Sequence, residues 1–199
     1  MNALLKTSLL GLALVSTASM AGNFAGPEAG ASVTMNGGST KYQKIGEKES
    51  ILGGSSLGFR LHGGYGFDMG NDALVLLGIN YNATELSVAK LNGENAKIKN
   101  SWSLSAAPGM MLNDKTLAYV KLSYEAGKFD SSSSDLKFNK SVSGFGYGAG
   151  LRTEINKTTF LETEIKQVNY SKFNYKKGSN SYDFTPSATV GSVGVVFKF

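Results

Sequence analysis

Ala73, Val75, Leu77, Ile79 and Tyr81 stand at every second position of one stretch, and the same period of two runs through almost all of the chain beyond its N-terminal segment. Alternation of this kind sends successive side chains to opposite faces of an extended strand, whereas an amphipathic helix repeats its apolar positions every three to four residues. Eight segments carry it: 28–36, 55–67, 73–84, 98–112, 116–127, 141–155, 159–170 and 184–199. Their connectors alternate in length. "DMGND" (68–72), "NDK" (113–115) and "NKT" (156–158) are short and built of turn residues, while 37–54, 85–97, 128–140 and 171–183 are long and polar. An up-and-down antiparallel sheet with tight turns at one end and loops at the other has this rhythm.

The faces are consistent from segment to segment. Leu57, Phe59, Leu61, Tyr65 and Phe67 oppose Arg60 and His62; Trp102, Leu104, Ala106 and Met110 oppose Ser101, Ser103, Ser105 and Ala107. Ala118, Val120, Leu122, Tyr124 and Ala126 oppose Tyr119, Lys121, Ser123 and Glu125, and Val193, Val195, Phe197 and Phe199 oppose Ser192, Gly194 and Lys198. A soluble carrier barrel would also alternate, with its apolar face inward. Three features point the apolar face outward instead. The polar face carries bulky charges of both signs at mid-strand (Arg60, Lys121, Glu125, Arg152, Glu154, Glu162, Glu164, Lys166), many aromatic residues sit near segment ends, and Phe199 ends the chain in phase with the apolar face.

Turn lengths preserve those faces. A three-residue turn at 156–158 sets Ile155 opposite Thr159 and Arg152 opposite Glu162; one at 113–115 sets Leu112 opposite Thr116; a five-residue turn at 68–72 sets Phe67 opposite Ala73. The glycines of "VSGFGYGAGLRTE" alternate with Phe145, Tyr147, Ala149 and Leu151 along one strand, which is not the strand-to-helix turn of a phosphate loop. Facing the lumen, they leave space for Glu164 and Lys166, opposite Gly150 and Gly148.

Composition narrows the chemistry. The chain has 199 residues, no cysteine and a single histidine, so thiolate chemistry and a multi-histidine metal cage are excluded. "MNALLKTSLLGLALVSTASMAGN" has a basic Lys6, an apolar run from Leu9 to Val15 and small residues at Ser19 and Ala21, so residues 1–21 are expected to be a secretory signal peptide and 22–199 the barrel domain. Without Lys6 the net charge is +4, and the four long connectors together carry that same charge. Lys41, Lys44, Lys48, Lys172, Lys176 and Lys177 thus form a basic rim suited to anionic surfaces.

With its signal peptide, eight alternating segments, "GFGYGAGLR" strand and terminal "VGVVFKF", the chain resembles the small eight-stranded outer-membrane β-barrels, which include the OmpA membrane domain, OmpX and opacity-type surface antigens. The resemblance implies an all-β, eight-stranded antiparallel up-and-down transmembrane β-barrel, monomeric, in the cell outer membrane of a Gram-negative bacterium. It also implies that Phe199 and Phe197 belong to the strand read by the barrel-assembly machinery, and no periplasmic domain is expected after Phe199.

The expected lumen is a polar network of Arg60, His62, Lys121, Glu125, Arg152, Glu154, Glu162, Glu164 and Lys166, packed as a plug because eight strands leave room only for side chains. No catalytic, metal or cofactor site is expected: His62 is followed by Gly63 and Gly64, and a serine could reach it only through the barrel. The expected role is structural and surface-interactive, through outer-membrane lipid, lipopolysaccharide and a host or surface ligand at the loops, without nucleic acid. A narrow channel and a lipid-modifying enzyme are the alternatives.

Overall fold

The computed structural model describes residues 24–91, 94–132 and 137–199; the signal peptide expected in residues 1–21 lies outside them. Among the described residues there are ten strands: β1 (Gly26–Lys44), β2 (Ser50–Gly70), β3 (Ala73–Asn82), β4 (Leu86–Leu91), β5 (Glu94–Asn113), β6 (Thr116–Ser132), β7 (Lys137–Asn156), β8 (Thr159–Tyr170), β9 (Phe173–Lys177) and β10 (Asn180–Lys198). They form one antiparallel sheet that closes on itself when β1 pairs β10, from Glu28 opposite Lys198 to Lys44 opposite Tyr182. The barrel has eight staves, two of them interrupted. β3 and β4 both pair β5, and β8 and β9 both pair β10. Closure satisfies the backbone hydrogen bonds within the wall and leaves no edge in the membrane, the condition for strands to cross a bilayer.

The long connectors expected as loops are mostly strand. Residues 37–44 and 50–54 extend β1 and β2, leaving a turn at 45–49; 128–132 and 137–140 extend β6 and β7. Their composition misled because strands above the bilayer face water on their outer side and need no apolar alternation there.

The turn end also departs in detail. β2 continues to Gly70, so Phe67 faces Val75 rather than Ala73, and the turn is the two residues Asn71 and Asp72, both at positive φ (52° and 63°). In the other two turns Asn113 faces Thr116 and Asn156 faces Thr159, with one-residue bulges that take Leu112 and Ile155 out of register. Gly70, Lys115 and Thr158 each donate a backbone N–H to the side chain two residues earlier, at 2.8, 2.9 and 3.0 Å, fixing all three turns. Because each shift is compensated by its bulge, the side-chain faces are preserved.

Those faces are apolar-out. Leu57, Leu77, Leu104, Leu122, Ile165 and Val193 are exposed, while Arg60, Lys121, Arg152, Glu162 and Glu164 are buried inside. Phe59, Tyr81, Trp102, Tyr124 and Phe145 make an exposed aromatic row at the loop end of this band, and Phe67, Phe197 and Phe199 lie toward the turn end. Among the described residues no helix is long and apolar enough to cross a membrane.

Candidate functional site

The lumen is where buried charge concentrates. β8 sets Glu162, Glu164 and Lys166 on its inner face, and register places them beside Arg152, Gly150 and Gly148 of β7. In the tier nearest the turns, Arg152 donates from Nε and Nη2 to Glu162 Oε2 at 3.1 and 2.6 Å, and from Nη2 to Glu28 Oε1 at 3.1 Å; its Nη1 also bonds Glu28. In the next, Glu164 accepts from Arg60 at 3.1 Å, from the Tyr119 hydroxyl at 3.2 Å and from Lys121. Arg60 completes its fork on Ser32 and Ser192, at 3.2 and 2.7 Å. In the uppermost tier, Glu125 Oε1 accepts from Lys166 at 2.6 Å and from Ser123 at 2.7 Å. Four acids thus meet four bases, which is how buried charges are tolerated at all.

Seven of the nine residues expected in this network interlock in these tiers. His62 lies beside the first of them, opposite Gly30, and its buried Nε2 has no hydrogen-bond partner. It lines a cavity of about 20 Å³ with Glu28, Asn80, Ser105, Lys121, Arg152 and Glu162. That volume suits about one water and is too small for a substrate. Ser105 spends its hydroxyl on Gly78 O at 3.3 Å, so this serine is not coupled to His62. Glu154 stands one step nearer the turns, half-buried, opposite Phe160. Among the described residues no group of three or more acids or histidines is arranged to hold a metal ion.

Sequence reasoning missed Glu28 and Tyr119 as members. Glu28 shares its parity with Ser32, Thr34 and Asn36, all inward, which is the signal that could have found it. The glycine strand also works somewhat differently than expected. A Cβ at Gly150 would strike the Tyr119 ring, at Gly146 it would come within 2.5 Å of Ser123 Oγ, and at Gly148 it would meet the β8 backbone. These glycines clear space for Tyr119 and for close strand approach, and only in part for the β8 charges.

Two apolar layers lie in the lumen on either side of the polar network. Toward the turns, Phe24, Leu74, Leu76, Leu117, Tyr119, Phe160 and Val196 pack into a floor. Toward the loops, Ile98, Phe129, Val142, Phe173, Phe184 and Val190 form a second core with Leu86, Val88 and Ala89 of β4. Phe173 and Phe184 stack at 5.3 Å and Phe138 and Tyr175 at 4.1 Å. Beyond the bilayer the wall encloses a core like that of a soluble protein, because side chains there must still fill the barrel.

β4 lies across the inner faces of β1 and β2. Thr40 Oγ1 donates to Val88 O at 3.0 Å, and Ser87 N donates to Ser56 Oγ at 3.2 Å. A Cβ at Gly38 would fall on Ser87 O and within 2.5 Å of Val88 Cα, and one at Gly54 within 2.6 Å of Ser87 Oγ. Two glycines therefore make the seat of this strand.

The basic rim is less free than its sequence suggests. Lys41 pairs Glu49 at 3.5 Å, Lys44 pairs Glu47 at 2.6 Å and Lys172 pairs Asp183 at 2.7 Å. Of the six lysines expected on loops, Lys41 and Lys44 are on β1, and Lys176 and Lys177 on β9; Lys48 lies in the 45–49 turn and Lys172 links β8 to β9. All sit at the loop end of the barrel.

A family model described as outer membrane protein beta-barrel domain matches residues 7–199. A comparison with curated protein sequences finds no match. Among solved structures, the outer membrane protein OprG from Pseudomonas aeruginosa superposes with a TM-score of 0.55 at 12% identity, covering 91% of this chain and 100% of that one. Neisserial surface protein A is similar at 17% identity and a TM-score of 0.45, covering 85% and 97%. The attachment invasion locus protein Ail of Yersinia pestis, solved with the heparin analogue sucrose octasulfate, is similar at 18% identity and a TM-score of 0.41, covering 83% and 98%. At these identities the likeness is one of fold.

Proposed function

This chain belongs to the outer membrane protein β-barrel family, and on that premise we propose that it is a closed barrel of the Gram-negative outer membrane, with a structural and surface-interaction role. The observation that carries this reading is the lumen, filled in three layers: the Phe160 floor, the interlocked charges and the β4-capped aromatic core. Water and ions have no continuous path through such a stack. The same packing speaks against enzymatic chemistry, since His62 meets no serine and no substrate-sized cavity. The strands that project beyond the aromatic row, with exposed Lys48, Lys176 and Lys177, are the surface offered for adhesion or recognition. Phe197 and Phe199, both exposed on the outer face, suit recognition by the assembly machinery. Planar-bilayer recording of the refolded protein tests the closed lumen: no unitary conductance is expected, and reproducible unitary events would overturn the reading in favour of a narrow channel.

A further inference from the structure

The outer wall carries a groove of about 390 Å³ at the loop-end aromatic row. Its floor is small: Ala126 faces Trp102 on one side and Ser143 on the other. Trp102 and Tyr124, 6.1 Å apart between ring centroids, bound it on the membrane side. Lys128 and Ser141, opposite one another in the β6–β7 ladder, bound it on the loop side. Asn100 closes one end from a bulge in β5, at φ 48°, where backbone strain and an extra residue re-aim the chain.

The charges above the groove are unbalanced. Lys99 and Lys128 face each other directly across the ladder, an arrangement of like charges that destabilises a sheet. Lys99 is neutralised by Asp130 at 2.6 Å and Glu85 at 3.3 Å, and Lys97 shares Glu85 at 2.7 Å. Lys128 is exposed and has no carboxylate partner among the described residues. Three lysines thus stand over two acids, beside a slot continuous with the lipid-facing band. Anionic groups just outside an aromatic girdle are lipid headgroups.

We infer that this groove binds a phosphate-bearing lipid of the surrounding leaflet, its phosphate on Lys128 with Ser141 and Asn100, and its acyl chain over Trp102 and Tyr124. This goes beyond the closed-barrel reading and does not depend on it. Trp102 is the only tryptophan of the chain, so it reports occupancy directly. The folded protein in neutral-detergent micelles is titrated with phosphatidate brominated on its acyl chains, and in parallel with the diacylglycerol bearing the same brominated chains. Half-quenching of Trp102 is expected at about a fivefold lower mole fraction of phosphatidate, the worth of one lysine at a lipid surface. Lys128→Ala, an exposed substitution outside every packed layer, is expected to bring the two lipids to parity, and Lys115→Ala at the turn end to leave the difference intact. Inorganic phosphate at the same concentration is expected not to displace the lipid. Equal quenching by both lipids in the unsubstituted protein, a Lys128→Ala protein that still discriminates, an equal loss in Lys115→Ala, or displacement by inorganic phosphate would each overturn the inference.

Discussion

Arg152 is held by two carboxylates, Glu162 from the neighbouring strand of its own hairpin and Glu28 from the first strand of the chain. It is 3% exposed, and removing a partner from a buried cluster leaves uncompensated charge, which costs more than the pair itself is worth. Arg152→Met is therefore expected to destabilise the barrel by about 3–5 kcal/mol, read as a lower urea midpoint in lipid. Adding Glu28→Gln and Glu162→Gln to it should recover most of the loss, and a single variant as stable as the parent would contradict the pairing. The Glu162 partner could be read from turn length and parity; for Glu28 parity gives only that it faces inward, and its pairing with Arg152 could not be read, because only ring closure brings β1 within reach of β7. At the rim the interactions are weaker and pH-dependent. The hydrogen bond from Lys97, and then that from Lys99, holds the Glu85 carboxyl below the ordinary glutamate value. With its folded value lowered, Glu85 stabilises the β4–β5 hairpin at pH above the ordinary glutamate range and loses that contribution as pH falls through the lowered value. Amide exchange at Leu86–Leu91, corrected for intrinsic rates, should quicken over that acidic window by at most about fivefold, as befits an exposed pair, and Glu85→Gln should flatten the dependence.

Among the elements, the membrane-crossing halves of the strands were the most legible, because lipid on one side and a filled lumen on the other enforce strict alternation. Val120, Leu122 and Tyr124 against Lys121, Ser123 and Glu125 show this directly. Where the staves leave the bilayer that constraint lapses, so β1 from Gly37 onward and all of β9 read as loop. β4 was the least legible. "LSVAKL" carries an apolar run, but its place inside the mouth is set by Gly38 and Gly54, some fifty and thirty positions earlier. The same seat makes a sharp test. At Gly38 a side chain would collide with the backbone of Ser87 and Val88, which cannot yield as a side-chain tip does. Gly38→Val is expected to expel β4 at a cost of about 1–3 kcal/mol. Exchange of the Leu86–Leu91 amides would then rise by about tenfold or more, while those of Thr116–Ser132 in the barrel wall stay slow. Unchanged protection of β4 would mean that the strand does not rest on this glycine.

For the whole molecule, the barrel is an inside-out protein through the bilayer and an ordinary one above it. Its exposed belt is apolar and its mid-lumen ionic, yet above the aromatic row the core is Phe129, Phe173 and Phe184. The three layers of the lumen are stacked in series, so each alone should be enough to block ions. Phe160→Ala would open only the floor, Lys121→Ala with Glu164→Ala only the charged tier, and Gly38→Val only the cap. Each of these variants, refolded and recorded in planar bilayers, is expected to stay silent, because the two layers left intact still fill a barrel no wider than its side chains. Conductance is expected only when the substitutions are combined. A single-layer variant that conducted would show that the other two layers leak, and the series arrangement would have to be abandoned.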